Sequence, residues 1–150
     1  RDRIAPEIVG NIERGLNISP SQIFEAERIR IELFKRVLDF FETHDFLVCP
    51  AASIAPFPVD QRYITEIDGK PCETYIDWFS ITFALTMTAC PTISVPCGFT
   101  SEGLPVGVQI MGKPRGELAL LQVAKQFEQA IGISNQLPIT PKTNLGNNSE

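Results

Sequence analysis

A chain of 150 residues with 43% hydrophobic and 21% charged side chains has the size of one ordinary domain and can bury a core, which excludes disorder for its bulk. Its net charge of −5 argues against a nucleic-acid partner, because phosphate contacts need clustered Lys and Arg and the 13 present are scattered. No apolar run approaches bilayer-spanning length and the opening RDRIAPEIVG lacks the apolar stretch of a signal peptide, so no membrane partner is expected and the cytoplasm is the expected compartment.

Residues 1–18 begin at Arg1 rather than Met and show neither a capping signal nor a clear period, so they read as an irregular extension at a cut end. The first marked element is a helix over 19–43. Ser19-Pro20-Ser21-Gln22 supplies an N-cap, proline at the first helical position and the glutamine of a capping box. Ile23, Ala26, Leu33, Phe34, Val37, Leu38 and Phe41 share one stripe at 100° per residue, which predicts the packed face. Glu32 precedes Lys35 and Arg36 by three and four residues, the spacing of surface ion pairs. His44 and Asp45 follow the helix, where an imidazole suits the carbonyl-rich terminus; a Ser-His-Asp hydrolase built on this pair has little support. Phe46-Leu47-Val48-Cys49, closed by Pro50, is too short for a helix and fits a buried strand.

Residues 51–73 lose periodicity under Pro56, Pro58, Gly69 and Pro71, and a loop of this length is either a binding or covering element or a plain surface insertion. Residues 74–88, rich in aromatic and apolar side chains at three and four spacing, predict a largely buried helix that ends before Pro91. Two β-rich runs, 92–96 and 106–111, read as neighbouring strands, with Pro96 confined to a strand end or bulge. A last helix over 116–131 turns Leu120, Ala124, Phe127 and Ile131 inward and stops at Gly132. The polar stretch 140–150 is expected to fray.

Cys49, Cys72, Cys90 and Cys97 form no C-x-x-C pair and the chain has one histidine, so neither a metal site nor a cofactor is expected; the cysteines read as small apolar groups in a reducing compartment. Ser94 alternates with Ile93 and Val95 in a strand and stands outside any G-x-S-x-G elbow, which argues against a nucleophile.

The segment 90–99, CPTISVPCGF, followed by 103–112, GLPVGVQIMG, resembles the C-terminal signature of the amidase-signature family. The strand ending at Pro50, and Glu117, Leu120, Leu121, Ala124 and Glu128 on the last helix, extend the resemblance over 19–135, leaving 136–150 as a polar tail. Gly98 and Gly103 are expected to take backbone angles that a Cβ forbids, and Gly107 and Gly112 to let layers approach. The chain departs from the family at Thr86 and Ala89, where relatives commonly carry Asn and Gly.

The resemblance implies an α/β fold, a mixed sheet flanked by helices, forming the C-terminal portion of an enzyme that hydrolyses carboxamides. It also implies a serine nucleophile, a bridging serine and a lysine base in a Gly/Ser-rich segment upstream of the matched region, so no catalytic residue is expected within this chain. Trp78, Phe79 and Phe83, with Asp77 as a polar contact, are the candidate substrate-binding residues, lining an acyl pocket for a small-molecule amide. The competing expectation is a binding or assembly module that kept the scaffold without the chemistry, with homo-oligomerisation through open sheet edges.

Overall fold

The computed structural model describes residues 4–133. Its elements are helices α1 (Pro6–Leu16) and α2 (Pro20–Thr43), strand β1 (Phe46–Pro50), a minimal hairpin of β2 (Glu66–Ile67) and β3 (Lys70–Pro71), the short helix α3 (Ser80–Ala84), strands β4 (Thr92–Phe99) and β5 (Pro105–Gly112), and helix α4 (Glu117–Ile131). This is an α/β arrangement of a helix-flanked sheet; the stretch 140–150 lies outside the described residues.

The sheet has the order β1-β5-β4 with both pairings antiparallel. β5 is therefore central and buried on both faces. Successive residues point to opposite sides, so Ile110 packs with Val95 against Leu120 and Ala124 of α4, while Met111 packs with Cys90 against Phe41 of α2. Pro96 pairs with Gly107 and Gly98 with Val106, so the ladder slips around Cys97. The proline thus sits beside a bulge, as its missing N–H requires.

Two glycines are fixed by geometry. Gly103 takes φ +81 in the β4–β5 connection, and a Cβ on Gly107 would lie 3.2 Å from the Val95 carbonyl oxygen and 3.4 Å from Ala51 Cβ. Gly98 and Gly112 differ from expectation: neither is in the left-handed region, and a Cβ on Gly112 would meet Leu120 Cβ at an ordinary 3.5 Å.

Four further expectations are corrected. The opening segment is helical: Pro6 occupies the first turn of α1, Glu7 and Arg14 suit the two ends of its dipole, and Ile8 and Ile12 are one turn apart. On α2 the ion pairs are Arg28 with Glu25 and Glu32, and Arg30 with Glu27, because the guanidinium forks reach carboxylates one turn to either side. The stripe of α2 packs only from Phe34 onward, with Val37, Phe40 and Phe41 inside and Ile23 and Ala26 exposed.

The fourth correction concerns 74–88, which is a broken helix. A 3-10 turn (Asp77–Phe79), α3 and a second 3-10 turn (Leu85–Thr88) follow one another. The hydroxyls of Thr82, Thr86 and Thr88 donate to the carbonyls of Phe79, Phe83 and Leu85, each three residues back, which competes with a regular ladder. The segment is also less buried than expected: Phe83 and Met87 are exposed and Thr88 is its one buried residue. The run ends at Ala89, which adopts a left-handed φ of 53 where the family pattern has glycine.

Candidate functional site

The end of the sheet that carries Pro50 and Gly107 organises the site. As β1 runs out, the Ala51 N–H donates to the Gly107 carbonyl at 2.9 Å, and the missing Cβ on Gly107 leaves room for that approach. Gln109, 6% exposed, donates through Nε2 to the carbonyls of Pro50 at 3.2 Å and Ile81 at 3.1 Å. One buried side chain therefore ties the start of the 51–57 loop and helix α3 to the central strand.

These ties leave a cavity of about 540 Å³ lined by residues 50–57, Trp78, Cys97 and residues 105–108. None of these described residues is charged, and Ser53 and Cys97 bring its two small polar side chains. Trp78 forms one wall. Its ring meets Phe57 edge-on at 5.6 Å and Phe79 at 5.2 Å, and Tyr75 stands 6.3 Å away. Its Nε1 is buried without a hydrogen-bond partner, so the indole is placed by ring edges rather than by a polar anchor.

Of the four candidate substrate-binding residues, Trp78 alone lines this cavity. Phe79 faces a smaller cleft of about 250 Å³ with Tyr75, Ile76 and the α1 residues Ile8, Asn11 and Arg14. Phe83 packs edge-on against Phe79 at 5.8 Å and is 37% exposed. Both Asp77 carboxylate oxygens are engaged by Thr74, one by its backbone N–H at 2.7 Å and one by its hydroxyl at 2.9 Å. Those two hydrogen bonds hold the Asp77 carboxyl below its usual range. The 51–73 loop expected to bind or cover a site brings its first residues, 51–57, to the lining, whereas sequence reasoning missed 105–108, because Pro and Val in a strand carry no chemical signature of a site.

The other reactive side chains have structural partners. Burial pushes the Cys49 thiol up, away from the thiolate a nucleophile needs. His44 caps α2: its Nδ1 lies 3.1 Å from the Phe40 carbonyl, its ring stacks on Phe40 at 4.2 Å, and its backbone N–H donates to the same carbonyl. Asp45 instead meets Lys113 at 3.3 Å. The four cysteines are free thiols, and among the described residues no group of three or more His, Cys, Asp or Glu is arranged to hold a metal ion. No described helix is long and apolar enough to cross a membrane.

The Amidase family model matches residues 3–121. The chain belongs to the amidase-signature family. The A subunit of the glutamyl-tRNA(Gln) amidotransferase from Prochlorococcus marinus (strain MIT 9211) is 33% identical over 114 residues, which cover 76% of this chain and 22% of that protein. Its counterpart from Thermodesulfovibrio yellowstonii is 37% identical over 107 residues, 71% of this chain and 21% of that protein. Among solved structures, a bacterial aryl acylamidase of the amidase signature family superposes with a TM-score of 0.77 at 26% identity, covering 87% of this chain and 27% of the acylamidase. A 6-aminohexanoate cyclic dimer hydrolase shares the fold, with a TM-score of 0.76 at 22% identity over 93% of this chain and 30% of its own. This amidase-family chain thus spans about a fifth of the length of the curated relatives it matches.

Proposed function

We propose that this chain is the C-terminal part of an amidase that hydrolyses carboxamide C–N bonds, and that it supplies scaffold and part of the substrate pocket rather than reactive groups. In this reading the nucleophilic serine, the bridging serine and the lysine base stand on polypeptide upstream. The serine adds to the amide carbon, its proton passes through the bridging serine to the lysine, and the amine leaves with a proton returned from that relay. Backbone amides stabilise the tetrahedral oxyanion, and water then releases the acyl group.

The observation that carries this reading is the uncharged cavity at the end of the sheet, walled by Trp78 and held open by Gln109 and Gly107. Trp78 contacts the small-molecule amide, Phe79 and Phe83 back it, and Asp77 holds the turn that presents it. The free thiols fit a reducing compartment such as the cytoplasm. Labelling with a serine-reactive fluorophosphonate tests the proposal: a longer natural form is expected to label and the 150-residue chain is not. Covalent label on the short chain overturns it.

A second reading, an assembly module that keeps the scaffold and associates with a partner or with itself, is favoured by one observation. Leu16 is 80% and Phe24 77% exposed on consecutive helices, apolar side chains available to a partner. Sedimentation that shows a well-folded monomer argues against it.

A further inference from the structure

The cavity beside Trp78 constrains ligand charge in a way that family membership alone does not. All fourteen described residues lining it are uncharged, and the polar side-chain groups among them are one hydroxyl, Ser53, one thiol, Cys97, and the partnerless indole N–H of Trp78. A carboxylate or ammonium moved into such a lining sheds part of its water without gaining a counter-charge, which weakens its binding relative to the neutral group. Asp77, next to Trp78 in sequence, does not change this balance, because both of its oxygens are taken by Thr74. A volume of about 540 Å³ lies within the range of small-molecule sites and accommodates a substituted aromatic ring. The walls are fixed by hydrogen bonds and ring contacts that do not involve a ligand: Ala51 to Gly107, Gln109 to Pro50 and Ile81, and Phe57 edge-on to Trp78.

We propose that this cavity binds the uncharged aryl or alkyl portion of an amide and discriminates against the same group bearing a carboxylate, with Trp78 as the wall that the ligand touches. The assignment deepens the amidase reading and rests on it for the word amide; the selectivity for neutral groups rests on the cavity alone.

Trp78 is the chain's single tryptophan, so its emission reports on the cavity directly. Titration of the 150-residue chain with acetanilide is expected to give a saturable change in Trp78 fluorescence. The charged probe 4-acetamidobenzoate is expected to bind at least about tenfold more weakly, which corresponds to about 1.4 kcal/mol. Ala52→Phe and Ala55→Phe place a ring in the cavity from exposed loop positions, and each is expected to abolish the acetanilide response while leaving the circular dichroism spectrum unchanged. Equal responses to both probes, no response to either, or an undiminished response in both folded variants overturns the assignment. If a longer natural form hydrolyses amides while Trp78 stays silent, the cavity assignment falls and the amidase reading stands. If Trp78 responds selectively and no longer form labels with fluorophosphonate, the reverse holds.

Discussion

The β4–β5 hairpin and α4 enclose Val95, Ile110, Leu120 and Ala124, none more than 4% exposed, whereas α1 and the first turns of α2 leave Ile8, Ile12, Leu16, Ile23 and Phe24 facing out, none less than 52% exposed. Both regions carry the apolar spacing of packed helices. The difference is the neighbour: α4 lies across a sheet whose central strand offers a continuous row of side chains, while the apolar side of α1 has no such surface among the described residues. Amphipathic spacing therefore tells which side of a helix is apolar, and only the rest of the fold tells whether that side is covered.

The contrast can be broken most sharply by truncation in the two regions. Ile110→Ala, in the buried face of β5, is expected to destabilise by about 2–5 kcal/mol in a denaturant titration, while Ile12→Ala on α1 is expected to stay within about 0.5 kcal/mol. Similar losses at the two positions would mean that α1 is covered in solution. Next in size is Gln109→Leu, which strands the Pro50 and Ile81 carbonyls and is expected to cost about 1–3 kcal/mol. The same substitution should speed hydrogen exchange at the Ala51 amide, since Gln109 anchors the strand end that presents it to Gly107.

Ala89→Gly is expected to act in the opposite direction. A left-handed φ costs a non-glycine residue about 1–2 kcal/mol, and glycine gives back about 0.5–1 kcal/mol through the entropy of the unfolded chain, so a net gain of up to about 1.5 kcal/mol should appear as a raised Tm. The smallest effect concerns pH. The Thr74 hydrogen bonds depress the folded carboxyl of Asp77, so its contribution is present above the unfolded value of 3.8 and is lost as pH falls through the lower folded value. Comparison of wild type with Asp77→Asn by thermal melts should show the difference between them shrink as the solution is acidified below that point.

Local chemistry was the most legible part of the fold. The capping box at Ser19 and Gln22 forms in both directions, Gly132 ends α4 at φ 69, and Pro96 borders a bulge, because each of these outcomes is settled within a few residues. The 74–88 segment was misjudged where local chemistry was underweighted, since three threonine hydroxyls compete for the carbonyls that a regular helix would use. At α1 the signal was Pro6 together with Ile8 and Ile12, a short pattern that a single turn of periodicity does not distinguish from chance.

The candidate site was legible only in part, and for a physical reason. Trp78 stands out as a large aromatic side chain beside a long loop, but the rest of the cavity is mostly small and apolar side chains of a loop and two strands, brought together by the Ala51–Gly107 contact. Composition marks groups that react or carry charge. An apolar cavity is made by backbone paths meeting; Gly107 is legible in the sequence as a point of close approach, but which segments meet there is visible only once its neighbours are in place.

Under the proposed function the 150-residue chain would shape an amide-binding wall and leave bond cleavage to residues elsewhere. Following acetanilide with the purified chain for release of aniline tests that division most directly. A time course that matches buffer is the predicted result, and a sustained excess of aniline that scales with protein concentration contradicts it.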